Sequence, residues 1–455
     1  MHLHILGICG TFMGGIAALA RAAGHRVTGS DANVYPPMST QLEAEGIELI
    51  EGYGAAQLDL NPDVVVVGNV MSRGKAVIER LLDSGLPYAS GPGWLAANVL
   101  RGREVAAVAG THGKTTTSSM LAWILQDAGR DPGFLIGGIP ANFGASARAG
   151  SGAPFVIEAD EYDTAFFDKR AKFVHYRPRH LLLTNLEYDH ADIYPDLASI
   201  QRQFHHLVRT VPASGRITWN SADAALKATL AMGSWTPLTE FAREAQAEWR
   251  ARLVSPEGGA FELLHRDAPV GIVRWPLIGL HNVENGLAAV ACAAGMGVLP
   301  AQAAAALARF AGVKRRLELR GEEGGIRVYD DFAHHPTAVA ITIDGLRRQG
   351  GDGRIVAVLE PRSNTMRLGV HREELAEALA AADSVWLFQP AGLDSNLDGV
   401  AAALGPKARV LGEVPALAAA LAAELRAGDR VVVMSNGGFG GLHERLLQAL
   451  RARTA

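Results

Sequence analysis

Short apolar runs recur along the chain, and most of them end in a segment rich in glycine or polar residues. Runs of about four to six apolar residues are typical of strands buried on both faces of a sheet, whereas the amphipathic stretches between them are typical of helices. Regular alternation of the two elements predicts an α/β protein with mostly parallel sheets. The predicted strands lie at 2–7, 25–28, 64–67, 86–89, 105–109, 155–157, 180–183, 326–329, 354–359, 384–388 and 430–434.

The order of these elements divides the 455 residues into three blocks, in agreement with the usual size of a domain. Residues 1–102 begin with a strand, a glycine loop and a helix, as in Rossmann-like domains. Residues 103–313 predict a mostly parallel sheet of the kind found in phosphate-binding-loop ATPases, and residues 314–455 return to a Rossmann-like pattern. We therefore expect a three-domain α/β protein whose ligands bind at the carboxyl ends of the strands.

The strand at 105–109 runs into residues 110–117, which read Gly-Thr-His-Gly-Lys-Thr-Thr-Thr, and a helical pattern follows. This context predicts a phosphate-binding loop, in which glycines and successive N–H groups approach a polyphosphate at a helix N-terminus. Lys114 would reach the β- and γ-phosphates, and the Thr115 hydroxyl would bind Mg²⁺. The full pattern places a glycine where this chain has Val108. The alternative is an ordinary glycine turn with an exposed lysine.

Two further strands of the middle block end in polar segments. The strand at 155–157 runs into the acidic segment 158–163, and the strand at 180–183 runs into 184–190, which ends in Tyr-Asp-His. Carboxylates at strand ends beside a phosphate loop are placed to hold Mg²⁺, directly or through water. A solvated acidic turn and a structural histidine are the alternatives for each segment taken alone.

The first block carries its own glycine loop at 7–15, and its second strand ends at Ser30 and Asp31. The glycine spacing differs from the G-x-G-x-x-G pattern of dinucleotide-binding folds. The loop alone is therefore compatible with a dinucleotide, a diphosphate or no ligand, since packing of a helix on a strand also requires glycines.

The third block opens with Arg315 and Arg316, and arginine suits phosphate because its planar fork makes two hydrogen bonds. Two of its strands end in the segments 360–366 and 435–441, the second of which is rich in glycine. These glycines indicate that the backbone approaches a ligand closely. Arg362 and the N–H groups near Asn436 would bind carboxylates, unless Arg362 only anchors the start of a helix.

The composition excludes some classes of protein. Net charge is −4, from 43 basic and 47 acidic residues, which argues against non-specific nucleic-acid binding. Two cysteines, Cys9 and Cys292, fit a reducing compartment. The N-terminus lacks the pattern of a signal peptide. The interruptions in the alanine-rich stretch 286–313 predict two helices rather than one membrane span. We expect a cytoplasmic monomer or weak dimer with no nucleic-acid or membrane partner.

Taken together, these segments resemble the Mur ligase family, the ATP-dependent amide-forming enzymes of peptidoglycan synthesis. The matching segments follow the family's order along nearly the whole chain. They are 110–116, 158–161, Thr184 and Asn185, Asp189 and His190, His281 and Asn282 with Asn285, Arg315 and Arg316, and Asp330 and Asp331 with 334–336.

The resemblance implies three domains that bind a UDP-sugar, ATP and an incoming amine in turn. It implies a reaction through an acyl phosphate, with a role in cell wall biogenesis and thus in cell shape and division. Within the family, 7–15, 30–40 and 360–366 resemble the enzymes that join the tripeptide L-Ala-γ-D-Glu-meso-diaminopimelate to UDP-N-acetylmuramate in peptidoglycan recycling. A ligase that uses L-alanine with the same UDP-sugar is the alternative.

The resemblance and the loop chemistry together give a set of expected site residues. Catalytic roles are expected for Lys114, Glu158, His190 and Arg316, and Mg²⁺ ligands are Thr115, Glu158 and His190, with Glu161 a weaker candidate near the metals. The ATP-binding set is Gly110, Thr111, His112, Gly113, Lys114, Thr115, Thr116, Asn282, Asn285, Arg316 and Asp331. The UDP-sugar set is Gly7, Cys9, Gly10, Thr11, Phe12, Met13, Ser30 and Asp31. The peptide set is Arg362, Ser363, Asn364, Asn436 and Gly437.

The chain departs from the family at one position. Several members carry a carbamylated lysine fifteen residues after the histidine ligand, whereas this chain has His205 there and no lysine between His190 and Lys227. The sequence leaves open how the second metal site is completed.

Two other classes of protein share parts of the pattern. A nicotinamide-dependent dehydrogenase would explain the first glycine loop and the Rossmann-like blocks, but would leave Lys114 and the strand-end carboxylates without a role. A nucleotide-binding switch or assembly protein would use the phosphate loop without the UDP-sugar domain.

Overall fold

The computed structural model describes residues 1–34, 38–362, 366, 372–390 and 397–454, and it contains three separate sheets. The first region, residues 1–102, has a parallel five-stranded sheet in the order β3-β2-β1-β4-β5. Its elements are β1 (His2–Leu6), α1 (Thr11–Ala22), β2 (Arg26–Asp31), α2 (Met38–Ala44), β3 (Glu48–Glu51), β4 (Val64–Val67), α3 (Ala76–Ser84), β5 (Tyr88–Ser90) and α4 (Gly91–Asn98).

The middle region, residues 103–313, has a ten-stranded sheet in the order β17-β16-β15-β14-β13-β12-β6-β9-β7-β8. Its strands are β6 (Glu104–Ala109), β7 (Gly133–Leu135), β8 (Ala147–Arg148), β9 (Pro154–Ala159), β12 (His180–Leu183), β13 (Arg216–Asn220), β14 (Leu238–Phe241), β15 (Trp249–Leu253), β16 (Ala260–His265) and β17 (Ala268–Arg274). A separate hairpin is formed by β10 (Asp163–Ala165) and β11 (Asp168–Ala171). The helices are α5 (Lys114–Asp127), α6 (Leu197–Val208), α7 (Ala224–Ala231), α8 (Leu280–Gly295) and α9 (Pro300–Leu307).

The third region, residues 314–455, has a six-stranded sheet in the order β18-β19-β23-β20-β21-β22, parallel except for the pair β18 and β19. Its strands are β18 (Glu318–Glu323), β19 (Ile326–Asp331), β20 (Ile355–Leu359), β21 (Ser384–Phe388), β22 (Ala408–Leu411) and β23 (Arg430–Met434). Its helices are α10 (Pro336–Arg348), α11 (Arg372–Leu379), α12 (Leu397–Leu404), α13 (Val414–Glu424) and α14 (Leu442–Thr454).

The phosphate-binding loop lies at the centre of the middle sheet because β6 pairs in parallel with both β12 and β9. These three strands are almost completely buried, which accounts for their uninterrupted apolar sequences. Their polar extensions therefore leave the sheet side by side at its carboxyl edge, as the sequence predicts.

The first and middle regions are packed directly against each other. Gly15 on α1 lies so close to Leu135 on β7 that a Cβ atom would overlap the leucine side chain. The tip of the β10–β11 hairpin also contacts the first region, where Phe167 meets Tyr88 with ring centroids 5.1 Å apart. Phe166 packs on the apolar cluster of α3 and β4. Because Gly15 ends the glycine loop of the first region, its contact with Leu135 places that loop against the middle sheet.

The structure confirms the predicted α/β class and the three mostly parallel sheets, and adds strands that the apolar runs did not predict. The edge formed by β15, β16 and β17 is antiparallel. The helix after the phosphate loop begins at Lys114, four residues earlier than its apolar face indicated. No helix in the described part of the chain is both long and apolar enough to span a membrane. The boundaries at 102/103 and 313/314 stay a prediction.

Candidate active site

The phosphate-binding loop has two glycines that other residues could not replace. Gly110 has a φ of +151°, and a Cβ atom there would overlap the Thr184 hydroxyl. Gly113 has a φ of +79°, precedes α5, and would place a Cβ 2.5 Å from Asn285 Oδ1. Both conformations lie in the region that only glycine adopts at little cost. The close neighbours keep the loop pressed against α8 and the end of β12.

Thr184 and Asn185, which follow β12, brace the same loop. The Thr184 hydroxyl donates to the His112 carbonyl oxygen at 2.9 Å, and Asn185 Oδ1 accepts the His112 N–H at 2.8 Å. The Thr111 hydroxyl accepts the N–H of Glu187 at 2.9 Å. These bonds preorganise the loop before any ligand binds.

Lys114 projects from the start of α5 to Glu161, with Nζ 2.8 Å from Oε2. Burial lowers the pKa of Lys114, but the charges of Glu161 and Asp160 outweigh it and hold the pKa above its usual value. The lysine is therefore a permanent cation at the mouth of the loop.

Thr115 connects the loop to Glu158 near the end of β9 and to Arg316 in the connection before β18. Its hydroxyl donates to Glu158 Oε1 at 3.0 Å and accepts from Arg316 Nη2 at 2.9 Å. The second oxygen of Glu158 accepts the N–H of Gly137 at 2.6 Å. Thr116, the next residue, is buried and lines the adjacent cavity.

A second group of possible metal ligands lies beside this one. Asp160, Glu161 and His190 offer ligand atoms that all lie within 4.8 Å of one another. His190 Nε2 is 2.9 Å from Glu161 Oε1, and this bond raises the pKa of His190 although burial lowers it. Two carboxylates and one imidazole around a shared space fit a divalent cation.

His205, at the position of the family's carbamylated lysine, is not part of this group. It lies buried on α6, and its ring is 6.2 Å from that of Trp235. The carboxylate that the family's modified lysine supplies is thus not replaced by this residue.

A cavity of about 240 Å³ lies between the phosphate-binding loop and the third region. The residues expected to bind the nucleotide base and ribose line it. Asn282 and Asn285 enter it from α8, and Asp331 from the end of β19. Asp331 already accepts the N–H groups of Leu317 and Ala333, at 2.7 and 2.8 Å. The cavity is lined by His112, Gly113, Thr115, Thr116, Asn185, Glu187, His281, Asn282, Glu284, Asn285, Arg316, Asp331, Ala333, Thr337, Ala338, Ile341 and Thr342.

Glu187 links the middle and third regions across this cavity, a role that the sequence did not reveal. Its Oε2 accepts from His112 Nε2 at 3.1 Å and from the Thr337 hydroxyl at 2.8 Å. The hydrogen bond from His112 is the main reason why the pKa of Glu187 falls to about 2. His335 adds a ring contact with His112, at 4.8 Å between centroids.

The glycine loop of the first region is closed over Asp31. The N–H of Cys9 donates to Asp31 Oδ2 at 2.9 Å, and the Tyr53 hydroxyl donates to Oδ1 at 3.2 Å. Gly10 and Thr11 are exposed at the start of α1, whereas Ser30 is fully buried and Met13 packs in the core. Gly7 turns the chain with a φ of +80°. Asp31 and the loop backbone therefore lie together, with Ser30 beneath them.

Lys172 lies between Phe12 of this loop and the acidic group around Asp160. The sequence analysis did not identify Lys172. Lys172 is buried, its Nζ is 2.8 Å from Asp160 Oδ2, and it lies 5.6 Å from the centre of the Phe12 ring. Lys172 follows the β10–β11 hairpin rather than a predicted strand end, so no motif marked it.

In the third region, the expected peptide residues lie around the segment after β23. The Arg362 guanidinium lies so close to Gly437 that a Cβ atom there would overlap it. Arg315 Nη2 donates to the carbonyl oxygens of Ser435 and Gly437, at 2.8 and 2.6 Å, and Asn436 lies between them. The predicted residues Ser363 and Asn364 lie outside the described residues.

The aromatic ring of Phe332 lies close to both Arg315 and Arg316. Their guanidinium carbons are 5.2 and 4.8 Å from its centre. Consecutive arginines therefore point in different directions, Arg315 to the segment after β23 and Arg316 to the phosphate-binding loop.

The fold and this arrangement define an α/β nucleotide-binding protein with a phosphate loop and strand-end carboxylates. Three models of the Mur ligase family match it: "Mur ligase family, catalytic domain" over 2–103, "Mur ligase middle domain" over 108–293, and "Mur ligase, glutamate ligase domain" over 315–437. The chain belongs to the Mur ligase family, which confirms the resemblance identified in the sequence.

Comparison with full-length relatives indicates which members of the Mur ligase family this chain is similar to. The chain is 56% identical over 451 residues to the UDP-N-acetylmuramate–L-alanyl-γ-D-glutamyl-meso-2,6-diaminoheptandioate ligase of Escherichia coli, covering 99% of this chain and 98% of the relative. The Haemophilus influenzae protein of the same name is 50% identical over 99% of this chain and all of its own length. A murein peptide ligase structure from Psychrobacter arcticus is 49% identical with a TM-score of 0.79, covering 99% of each chain.

Proposed function

We propose that this protein is an ATP-dependent ligase that joins UDP-N-acetylmuramate to the tripeptide L-Ala-γ-D-Glu-meso-diaminopimelate in peptidoglycan recycling. The full-length identity of 56% to a ligase named for these substrates carries the proposal. The sugar carboxylate attacks the γ-phosphate of ATP, which gives an acyl phosphate and ADP. The tripeptide amine then attacks the acyl carbon, and phosphate leaves.

The chain's own cations stabilise the phosphoryl transfer in this proposal. Lys114 and Arg316 reach the phosphate loop from two regions, and both are held in place by hydrogen bonds. Phosphoryl transfer to a carboxylate brings anions together, so positioned cations lower its barrier. Asn282, Asn285 and Asp331 are proposed to hold the nucleoside in the cavity beside them.

The acidic side chains fit Mg²⁺, which supplies charge neutralisation at the phosphates when it is bound. We propose that Thr115 and Glu158 hold one ion, since they already meet as hydroxyl and carboxylate. His190 and Glu161, with Asp160, are proposed to hold a second. Asp160 and Glu161 then supply carboxylates at a site where several family members carry a carbamylated lysine.

The first region is proposed to bind the UDP-sugar and the third the tripeptide. The loop at 7–15 offers backbone N–H groups, and Asp31 offers a carboxylate beside it. Phe12 of the same loop lies near Lys172, which contacts the acidic group. Arg362 and the segment around Asn436 and Gly437 offer a guanidinium and backbone N–H groups for the carboxylates of a peptide. The use of these substrates and of ATP supports a cytoplasmic reaction as part of this proposal.

The alternative with L-alanine as the amine has weaker support. The UDP-N-acetylmuramate–L-alanine ligase of Salinispora arenicola is 34% identical to this chain over 466 aligned residues, and that of an Arthrobacter species is 36% identical over 388. They share the nucleotide and the sugar, so only the amine separates the two functions.

A substrate panel tests the proposal. ADP release is measured with UDP-N-acetylmuramate and either the tripeptide or L-alanine, and we expect a much higher kcat/KM for the tripeptide. Reactions without the sugar or without an amine are controls, and added NADH should show no absorbance change. A higher kcat/KM for L-alanine would replace this function by the alternative.

The Mg²⁺ sites have a separate test. Glu158→Gln and His190→Ala should each raise the Mg²⁺ concentration that gives half-maximal turnover, because each removes a proposed ligand. Glu248→Gln is the control, since Glu248 pairs with His265 and Arg266 at the far edge of the sheet. A magnesium titration identical to wild type removes the altered residue from the proposed site.

A further inference from the structure

A second cavity, of about 560 Å³, lies where the first and middle regions meet, and it shares no residue with the nucleotide cavity. One side comes from α4 and the connection after it, and the other from residues 174–177 beyond the β10–β11 hairpin. Val105, near the start of β6, also lines it. At about 3.3 Å per residue, this places it ~16 Å from Gly110 along β6.

Among the described residues, four arginines line this cavity, and no carboxylate does. Arg103 is fixed by hydrogen bonds to the carbonyl oxygens of Ala149 and Pro154, at 3.1 and 3.0 Å. The guanidinium groups of Arg101 and Arg177 make no hydrogen bond or ion pair within the described part of the chain. The fourth, Arg170, pairs with Asp168 at 2.7 Å.

These charges leave the cavity positive. Of the four arginines, Arg170 alone forms an ion pair with a carboxylate of the described residues, and that carboxylate lies outside the lining. Like charges gathered without counter-charges repel one another, so an anion in the cavity would relieve this repulsion. Arginine also offers planar, paired donors suited to phosphate and carboxylate groups.

The rest of the lining is small or apolar, including Ala96, Ala97, Leu100, Val105 and Val174. A volume of about 560 Å³ is within the range typical of small-molecule sites, about 300–1,000 Å³. An apolar wall beside several guanidinium groups suits an organic anion better than an inorganic one, because its carbon skeleton covers the apolar wall while its charges meet the exposed guanidinium groups.

We propose that this cavity binds a small organic polyanion, either a phosphate ester or a polycarboxylate, through Arg101 and Arg177. The bound anion would bridge α4 of the first region and residues 174–177 of the middle region. The proposal does not depend on the ligase function, because its residues are separate from those proposed for catalysis.

Calorimetric titration of the full-length protein without Mg²⁺ tests the proposal, with fructose 1,6-bisphosphate and propane-1,2,3-tricarboxylate as probes. We expect binding of at least one probe, and weakening of at least about tenfold in Arg101→Ala/Arg177→Ala, since charged hydrogen bonds are lost. The matched control is Arg26→Ala/Arg274→Ala, which removes two exposed arginines elsewhere and should bind as wild type. Saturating ADP should leave binding unchanged.

The outcomes separate the ligand classes and the sites. Binding of only one probe identifies a phosphate or a carboxylate as the ligand group. Displacement by ADP, or loss of binding in Lys114→Ala, would assign the probe to the phosphate-binding loop and overturn the proposal. Equal binding by the double variant and wild type, or no binding of either probe at millimolar concentration, would also overturn it. Unchanged ligase turnover in the double variant verifies that it folds.

Discussion

Lys114 and Glu161 face each other almost out of contact with water, with 13% and 2% of their side chains exposed. Opposite charges removed from water hold each other in place, and removing either one leaves the other uncompensated. A bound γ-phosphate would offer the Lys114 ammonium a second anion. The pair therefore keeps the lysine ordered and charged before the nucleotide arrives.

Lys114→Ala should lower kcat for ligation by ~10²–10³, the usual cost of losing one preorganised group that stabilises a transition state. Steady-state ADP release with saturating substrates measures this change. Lys227→Ala, an exposed lysine on α7, is the control and should retain wild-type turnover. Near-normal kcat in Lys114→Ala would remove the lysine from the proposed mechanism.

Lys172→Met should raise the KM for UDP-N-acetylmuramate and lower kcat, because Lys172 connects Asp160 to Phe12 of the sugar loop. Lys172→Arg keeps the cation and should recover part of both values, whereas a purely apolar packing role would be served as well by methionine. Initial rates over a range of sugar concentrations separate the two parameters. Equal kinetics for the methionine variant and wild type would contradict the prediction.

Residues near a motif were predictable, and residues brought in by tertiary structure were not. Lys114, Thr115 and Glu158 stand at the ends of apolar strands, where chain order alone places them at one edge. Thr337 is 150 positions from Glu187, so no local pattern could pair them. The roles of the predicted site residues stay predictions until the experiments above are made.

At the scale of elements, the loop before α5 depends on glycine for two separate reasons. Gly113 has a positive φ, and Asn285 lies so close to it that there is no room for a side chain. Gly102 has nearly the same φ, +78°, but nothing lies within 4 Å of a Cβ there. The two positions therefore separate backbone strain from steric overlap.

Gly102→Ala should cost only the backbone strain, about 1–2 kcal/mol, and should leave ADP affinity unchanged. Gly113→Ala should lose more stability and should also weaken ADP binding, because Asn285 and the loop must move apart. Thermal unfolding and calorimetric ADP titration measure the two effects. If both variants bind ADP equally well, the contact with Asn285 does not shape the nucleotide site.

The antiparallel edge of the middle sheet could have been predicted. Residues 249–253 alternate between Trp, Ala or Leu and arginine, the period of two that marks a half-exposed strand. The buried parallel strands were recognised because their apolar runs are continuous, whereas alternating strands need a different template.

At the scale of the whole molecule, the proposed substrates bind to three regions, and their reacting groups must meet at one place. An acyl phosphate also needs protection from water. The link from Glu187 to Thr337 and the contacts of Lys172 with Phe12 show which side chains hold the regions together. Length and element order predicted three such regions, but the contacts between them needed coordinates.

The protein with UDP-N-acetylmuramate and a non-hydrolysable ATP analogue should have a smaller radius of gyration than the protein without ligands, because bound substrates draw the regions together. Small-angle X-ray scattering measures this change. Lys114→Ala with the same ligands is the control and should compact less. Identical scattering with and without both ligands would contradict domain closure.

The ring of Phe332, which lies close to two consecutive guanidinium groups, has a consequence for the order of events in a catalytic cycle. Arg316 reaches Thr115 in the nucleotide loop, and Arg315 holds the backbone around Gly437. Because one dipeptide contacts both loops, we predict that nucleotide binding at the first loop alters the contacts of Arg315 at the second. The amine should then join last, in compulsory order, once the acceptor for its attack has been prepared.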